Sequence, residues 1–276
     1  NIGLGANAVD SITTGDYNVG LGDGALTANT EGSINTAVGY NSLAANTTGS
    51  QNVAIGRNSL LLNTTAVANT GIGTSALSAV TTGGYNTAVG GDALKTNTTA
   101  ANNTAVGYQA LTANTTGTGN NAFGKSSLDA NTTGNYNVAI GDSALGAATT
   151  AVGNTAVGSA AMTSTTTGAS NTAVGLEALR ANTTGANNTA TGYKALYTNT
   201  TGLRNTAVGI EALKSNTTGN NNIAIGGYAL DSNTTADNNT AVGYSALEAN
   251  TTGHGNVSIG KDSMAANTEG FQNVAL

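Results

Sequence analysis

One glycine recurs at a fixed interval along the whole chain and limits what the chain can fold into. It stands at Gly5, Gly22, Gly39, Gly56, Gly73, Gly90, Gly107, Gly124, Gly141, Gly158, Gly175, Gly192, Gly209, Gly226, Gly243 and Gly260, always 17 residues apart, in 16 copies without an insertion or deletion. A globular enzyme with irregular loops does not keep such a phase, whereas a stack of identical coils requires it, because each coil contacts only its neighbours.

Numbering each repeat from that glycine as position zero, the five residues ending on it read Asn, Thr or an aliphatic, a small residue, an aliphatic, Gly, as in Asn52-Val53-Ala54-Ile55-Gly56. Alternation over so short a run is a strand signal, with Val53 and Ile55 on one face and Ala54 on the other. A second short extended piece is expected around Ala110-Leu111, Ser127-Leu128 and Ala161-Met162, followed by the turn Asn-Thr-Thr-Gly. No amphipathic helical period of adequate length fits between the glycines. The fold class expected is therefore all-β: a parallel β-solenoid of sixteen 17-residue coils, one repeat region over 1–276, extending roughly 75 Å at ordinary strand spacing. The high Asn, Thr and Gly content does not indicate disorder, since a disordered chain keeps no hydrophobic spacing. Zero Cys and zero Pro agree with a backbone committed to ladders rather than to disulfides or proline-bounded loops.

The interior is expected to hold Val38, Ile55, Ile72, Val89 and Val106 with Leu43, Leu60, Leu77, Leu94 and Leu111. Position minus two is uniformly small (Ala37, Ala54, Gly71, Ala88, Ala105, Ser258). That uniformity implies close approach of another backbone, across the coil or from a neighbouring chain, and a lateral oligomer, most simply a homotrimer, is the expectation drawn from it.

Position minus four is always asparagine: Asn18, Asn35, Asn52, Asn69, Asn86, Asn103, Asn120, Asn137, Asn154, Asn171, Asn188, Asn205, Asn222, Asn239 and Asn256, with Asn1 and Asn273 at the ends. Identical amides at one stacked position can form a hydrogen-bonded ladder, so a structural role is expected for this column. Thr at position eight is equally constant. At position ten Gly gives way to Ala at Ala66, Ala100, Ala151 and Ala236, so that turn has no strict need for positive φ.

The residues offer little to catalysis. The one histidine, His254, stands in a turn position, so neither a His-based metal cluster nor a Ser-His-Asp arrangement is expected within one chain, and zero Cys leaves no thiolate metal site. Asp92, Glu177, Glu211 and Asp262 share one outer position without forming a distinct carboxylate pair, and Gly20-Leu21-Gly22 lacks the third glycine and following helix of a dinucleotide loop. No catalytic, cofactor or metal residues are assigned, and no enzyme activity is expected. A formal charge of -6 gives no footprint for nucleic acid, and no apolar run suits membrane insertion. Glu177, Lys194 and Glu211 alternate in sign at one position of successive coils. Tyr40, Tyr108, Tyr193 and Tyr244 share another and are candidate surface contacts for a cell-surface glycan. Ten Asn-Thr-Thr triplets match the N-glycosylation acceptor pattern, which an Asn-Thr turn repeat also produces by itself. Thr-rich coils raise ice binding as an alternative, although position minus three exchanges Thr for Val53, Val138, Ile223 and Val257.

The segments N-T-A-V-G-Y-Q-A-L (103–111) and N-V-A-I-G (52–56) resemble the repeats of phage tail-fibre and tail-fibre-like surface proteins, and more distantly the head repeats of trimeric autotransporter adhesins. The resemblance covers the whole chain. It implies a homotrimeric extracellular fibre on a virion or cell surface, often with a self-cleaving chaperone domain at the C-terminus and receptor contacts at a tip. The function expected is a non-catalytic shaft or spacer. The chain starts and stops inside repeats, which reads as part of something longer and raises end-to-end filament formation as a further alternative.

Overall fold

A computed structural model describes all residues, 1–276. The chain is all-β, a parallel β-solenoid of about sixteen turns, with two compact units, 1–136 and 137–276. The first unit contains β1 (Ile2–Leu4), β2 (Val19–Leu21), β3 (Thr36–Val38), β4 (Val53–Ile55), β5 (Thr70–Ile72), β6 (Thr87–Val89), β7 (Thr104–Val106) and β8 (Asn121–Phe123). Each pairs in parallel with the next, residue against residue 17 further on, so Ala88 lies beside Ala105 and Val89 beside Val106. The second unit repeats the arrangement with β9 (Val138–Ile140), β10 (Thr155–Val157), β11 (Thr172–Val174), β12 (Thr189–Thr191), β13 (Thr206–Val208), β14 (Ile223–Ile225), β15 (Thr240–Val242), β16 (Val257–Ile259) and β17 (Val274–Ala275).

One strand of three residues forms in each full coil, not two extended pieces. The expected second piece is instead a bend with two left-handed residues, one on either side of the residue equivalent to Ala110, and a further left-handed residue precedes the strand. In the coil around Gly107, Asn102 (φ 61°), Gln109 (φ 59°) and Leu111 (φ 52°) all occupy that region, and equivalent residues do so in coil after coil. The left-handed region costs an L-residue roughly 1–2 kcal/mol, so the fold has to compensate. Part of the compensation lies in hydrogen bonds to neighbouring coils: Gln109 N donates to Gly91 O at 3.0 Å, Leu111 N to Ser127 O at 3.0 Å, and Asn102 N to Gly84 O at 3.3 Å. The other part is burial. Leu111 is fully buried beside an equally buried Ala110. Two consecutive inward residues break strand alternation, and the left-handed step at Leu111 is what breaks it. The repeat glycine is a different case: Gly107 has φ 140°, and a Cβ there would stand 2.4 Å from the carbonyl oxygen of Gly124, so no other residue fits.

The two strand faces are the reverse of the sequence expectation. Ala37, Ala54, Ala88 and Ala105 are completely buried, while Val38, Val89 and Val106 are half-buried on the outer face and Ile55 and Ile72 are 39% and 36% exposed. The leucines do lie inside, Leu43, Leu60, Leu77, Leu94 and Leu111 all at 0%. The reason is the width of the coil. A Cβ at Gly71 would lie 3.3 Å from the carbonyl oxygen of Ala76, and one at Gly20 is 3.2 Å from that of Ala25, so the strand runs against the backbone of its own turn. Only a small side chain fits between them. The uniform smallness of position minus two is thus explained within one coil, and it does not call for a neighbouring chain.

Candidate functional site

Beside the buried leucines and alanines, the interior of each unit holds two asparagine columns. The first column, Asn18 to Asn120 in the first unit and Asn137 to Asn256 in the second, is at most 1% exposed. Its members are joined in the same way in successive coils: Asn35 N and Asn35 Nδ2 both donate to Asn18 Oδ1, at 2.9 and 3.1 Å, and the same Nδ2 donates to Gly49 O at 2.9 Å. In the second unit Asn188 repeats this on Asn171 Oδ1 and Gly202 O. Asn120 Nδ2 reaches Gly134 O and Asn137 Nδ2 reaches Ala151 O, both at 2.8 Å. Each amide therefore closes its own turn and receives the strand of the next coil, leaving no free polar atom for a ligand.

The second column is the asparagine of Asn-Thr-Thr. Asn46 Nδ2 donates to Asn29 Oδ1 at 2.6 Å and to Gly49 O at 2.9 Å, and Asn216 Nδ2 to Asn199 Oδ1 at 2.8 Å and Gly219 O at 3.0 Å. The sequence signal for this column was its recurrence at one phase, and its turn chemistry obscured the inward orientation. The column is broken at Val80, where Asn63 Oδ1 is left buried and unpaired. The threonine that follows closes the turn edge, Thr47 Oγ1 donating to Thr64 O at 3.1 Å. The next one, such as Thr48 or Thr116, faces solvent.

Outside, the sheet presents two columns of side chains in each unit. In the second unit Thr155, Thr172, Thr189 and Thr206 follow one another in register, beside Val157, Val174, Thr191 and Val208. No strand position in either unit carries a charge. The outward setting also explains why Thr191 can replace an aliphatic residue.

The tyrosines singled out from the sequence stand just beyond the strands, with Tyr40, Tyr108, Tyr193 and Tyr244 exposed at 55%, 53%, 38% and 52%. The structure does not bring them together. Tyr193 lies under Lys194, whose Nζ is 5.0 Å from the ring centre, and Tyr244 meets Tyr228 edge-on at 5.6 Å.

Charges collect beside Tyr193 in the second unit. Lys194 Nζ lies 3.6 Å from Glu177, Arg180 Nη1 is 3.6 Å from the same carboxylate, and Lys214 contacts Glu211 at 2.9 Å. Arg180 Nη1 also donates to Tyr197 Oη at 2.6 Å. The hydrogen bond to Tyr193, with Glu177 assisting, raises the Lys194 pKa, and the bond to Glu211 raises that of Lys214. Burial pushes the Asp231 carboxyl up despite the nearby Lys214, and one of its oxygens has no partner. These pairs satisfy one another and are partly exposed, so they contribute little to stability. No three His, Asp or Glu side chains converge to hold a metal ion, and no helix is long and apolar enough to cross a membrane.

The arrangement offers repeated surface rather than converging reactive groups. Comparison of the sequence with protein-family models finds no match, and comparison with curated proteins finds none either.

Proposed function

We propose that this chain is a non-catalytic structural fibre element, a shaft or spacer of an adhesin or tail fibre exposed on a virion or cell surface, and that identical chains associate laterally as a homotrimer. The observation that supports this reading is the uncharged outer sheet face, with its half-exposed valines and isoleucines, present in both units. Covering a half-exposed Val or Ile contributes on the order of 1 kcal/mol, a gain repeated in coil after coil. The resemblance of the repeats to those of trimeric surface fibres points the same way. Light scattering on the purified chain tests it: a threefold mass is expected, falling to the monomer mass when Val89, Val106 and Val174 are replaced by Lys, with the circular dichroism unchanged. A strictly monomeric parent chain refutes lateral association.

A second reading, that this face binds glycans or ice, draws on the registered outward threonines Thr155, Thr172, Thr189 and Thr206. It requires saccharide or ice-recrystallisation activity in the intact chain. The tyrosine version of it further requires that the activity be lost when Tyr40, Tyr108, Tyr193 and Tyr244 become Ser.

A further inference from the structure

The sequence pattern Asn-x-Ser/Thr occurs in three settings in this chain, and the fold separates them. In the ten Asn-Thr-Thr triplets the asparagine is fully buried. Asn114 Nδ2 is held by Asn97 Oδ1 at 2.9 Å and by Gly117 O at 3.0 Å, whereas Thr116, the hydroxyl residue of the same triplet, is exposed. The coil wall runs between the two groups that a transferase must engage together. In Asn256-Val257-Ser258 the asparagine is also fully buried, in the other inner column. The third setting is Asn-Asn-Thr, found at Asn102, Asn187 and Asn238. Here the first asparagine is an exposed left-handed residue, with φ of 61°, 59° and 61°. The middle asparagine (Asn103, Asn188, Asn239) is buried in the inner ladder, and the following Thr104, Thr189 or Thr240 opens the strand on its outer face.

We propose that the folded chain is an acceptor for N-linked saccharide at Asn102, Asn187 and Asn238 and is closed at every Asn-Thr-Thr triplet. The donor is a saccharide carried on a lipid diphosphate. The Asn Nδ2 forms a bond to the anomeric carbon and gives up one proton to solvent, and the anomeric carbon–oxygen bond breaks with its electron pair leaving on the lipid diphosphate. At the three exposed sites this displaces no interior group. At Asn114 the new substituent would stand inside the coil, where Nδ2 makes both of its hydrogen bonds, so the two triplet types differ in accessibility and in compatibility with the fold. The inference is independent of the fibre reading, since it concerns the single coil.

The test uses a purified single-subunit oligosaccharyltransferase with its lipid-linked donor, the full folded chain, and a synthetic peptide spanning 100–118. That peptide carries both Asn102 and Asn114, and a lone coil has no neighbours to stack on. Glycopeptide mass mapping is expected to show the peptide modified at both asparagines. The protease-resistant full chain is expected to be modified at the three exposed sites, with at least 100-fold lower occupancy at Asn114 and the other triplets. Replacing Asn102, Asn187 and Asn238 by Gln is expected to abolish labelling without changing the circular dichroism. Occupancy at an Asn-Thr-Thr triplet of protease-resistant chain within 100-fold of that at the exposed sites overturns the proposal. So does refusal of the three exposed sites by a folded chain whose peptide is accepted, and so does refusal of the peptide, because the coil wall would then not decide the outcome.

Discussion

Leu111 allows the cost of the left-handed backbone to be separated from the cost of core volume. It is fully buried with φ 52°, and its N–H donates to Ser127 O at 3.0 Å. Replacing it with Met keeps volume and an unbranched Cβ, and Met162 and Met264 already occupy the same phase with φ 51° and 49°. A cost below about 1.5 kcal/mol is expected. Ala removes most of the side chain and should cost about 2–5 kcal/mol. Val is the informative variant. By volume alone it should lie well above Ala, losing about 1 kcal/mol for one methylene. A β-branched residue held at positive φ adds strain of roughly 1–3 kcal/mol, which brings Val down to about 2–4 kcal/mol, level with Ala. Equilibrium urea unfolding followed by circular dichroism gives the global value, and amide exchange at residue 111 gives the local one, which matters because repeat arrays can lose coils separately. If Val costs no more than about 1 kcal/mol while Ala costs its full amount, left-handed strain does not govern this position.

Val80→Asn should repair the inner column by giving Asn63 Oδ1 a donor, and should raise stability by about 1 kcal/mol or more, read as a higher urea midpoint; a lower midpoint would mean the gap cannot accept an amide. Ala105→Asp should unfold its part of the stack by burying an unpaired charge, a loss of about 3–5 kcal/mol, whereas Val106→Asp, on the outer face, should cost about 1 kcal/mol or less in the monomer; the opposite order in thermal melts would reverse the two faces. Asp231→Asn should stabilise the chain at neutral pH. Burial raises this carboxyl above its unfolded value, so the folded state binds the proton more tightly, and stability falls as pH rises from the ordinary carboxylate range through the raised value; the gain from Asn should therefore shrink as the pH is lowered below that range, and a gain independent of pH would assign it to something other than the charge.

The period of the coil, its strand and the inward leucines were legible in the residues because each leaves a signal at fixed phase. The facing of the strand was not, and the reason is specific. Alternation states that Ala105 and Val106 face opposite ways but not which way is in, and hydrophobicity favours Val106. What decides it is the distance from the strand to the turn of the same coil, and that distance follows from Leu111 taking a left-handed φ that no sequence rule assigns to leucine. Once Leu111 turns inward next to Ala110, the coil is too narrow for a valine opposite, and the aliphatic columns must face outward. The same step accounts for the asparagines. A narrow interior with one large apolar side chain per coil leaves turn carbonyls such as Gly49 O and Gly117 O inside, and a buried carbonyl needs a donor. Asn46 and Asn35 both supply one to Gly49 O, as Asn114 and Asn103 do to Gly117 O. The asparagines of the Asn-Thr-Thr triplets are therefore interior hydrogen-bonding residues of the fold, and the strand valines and isoleucines, which resemble a core, line its outer surface.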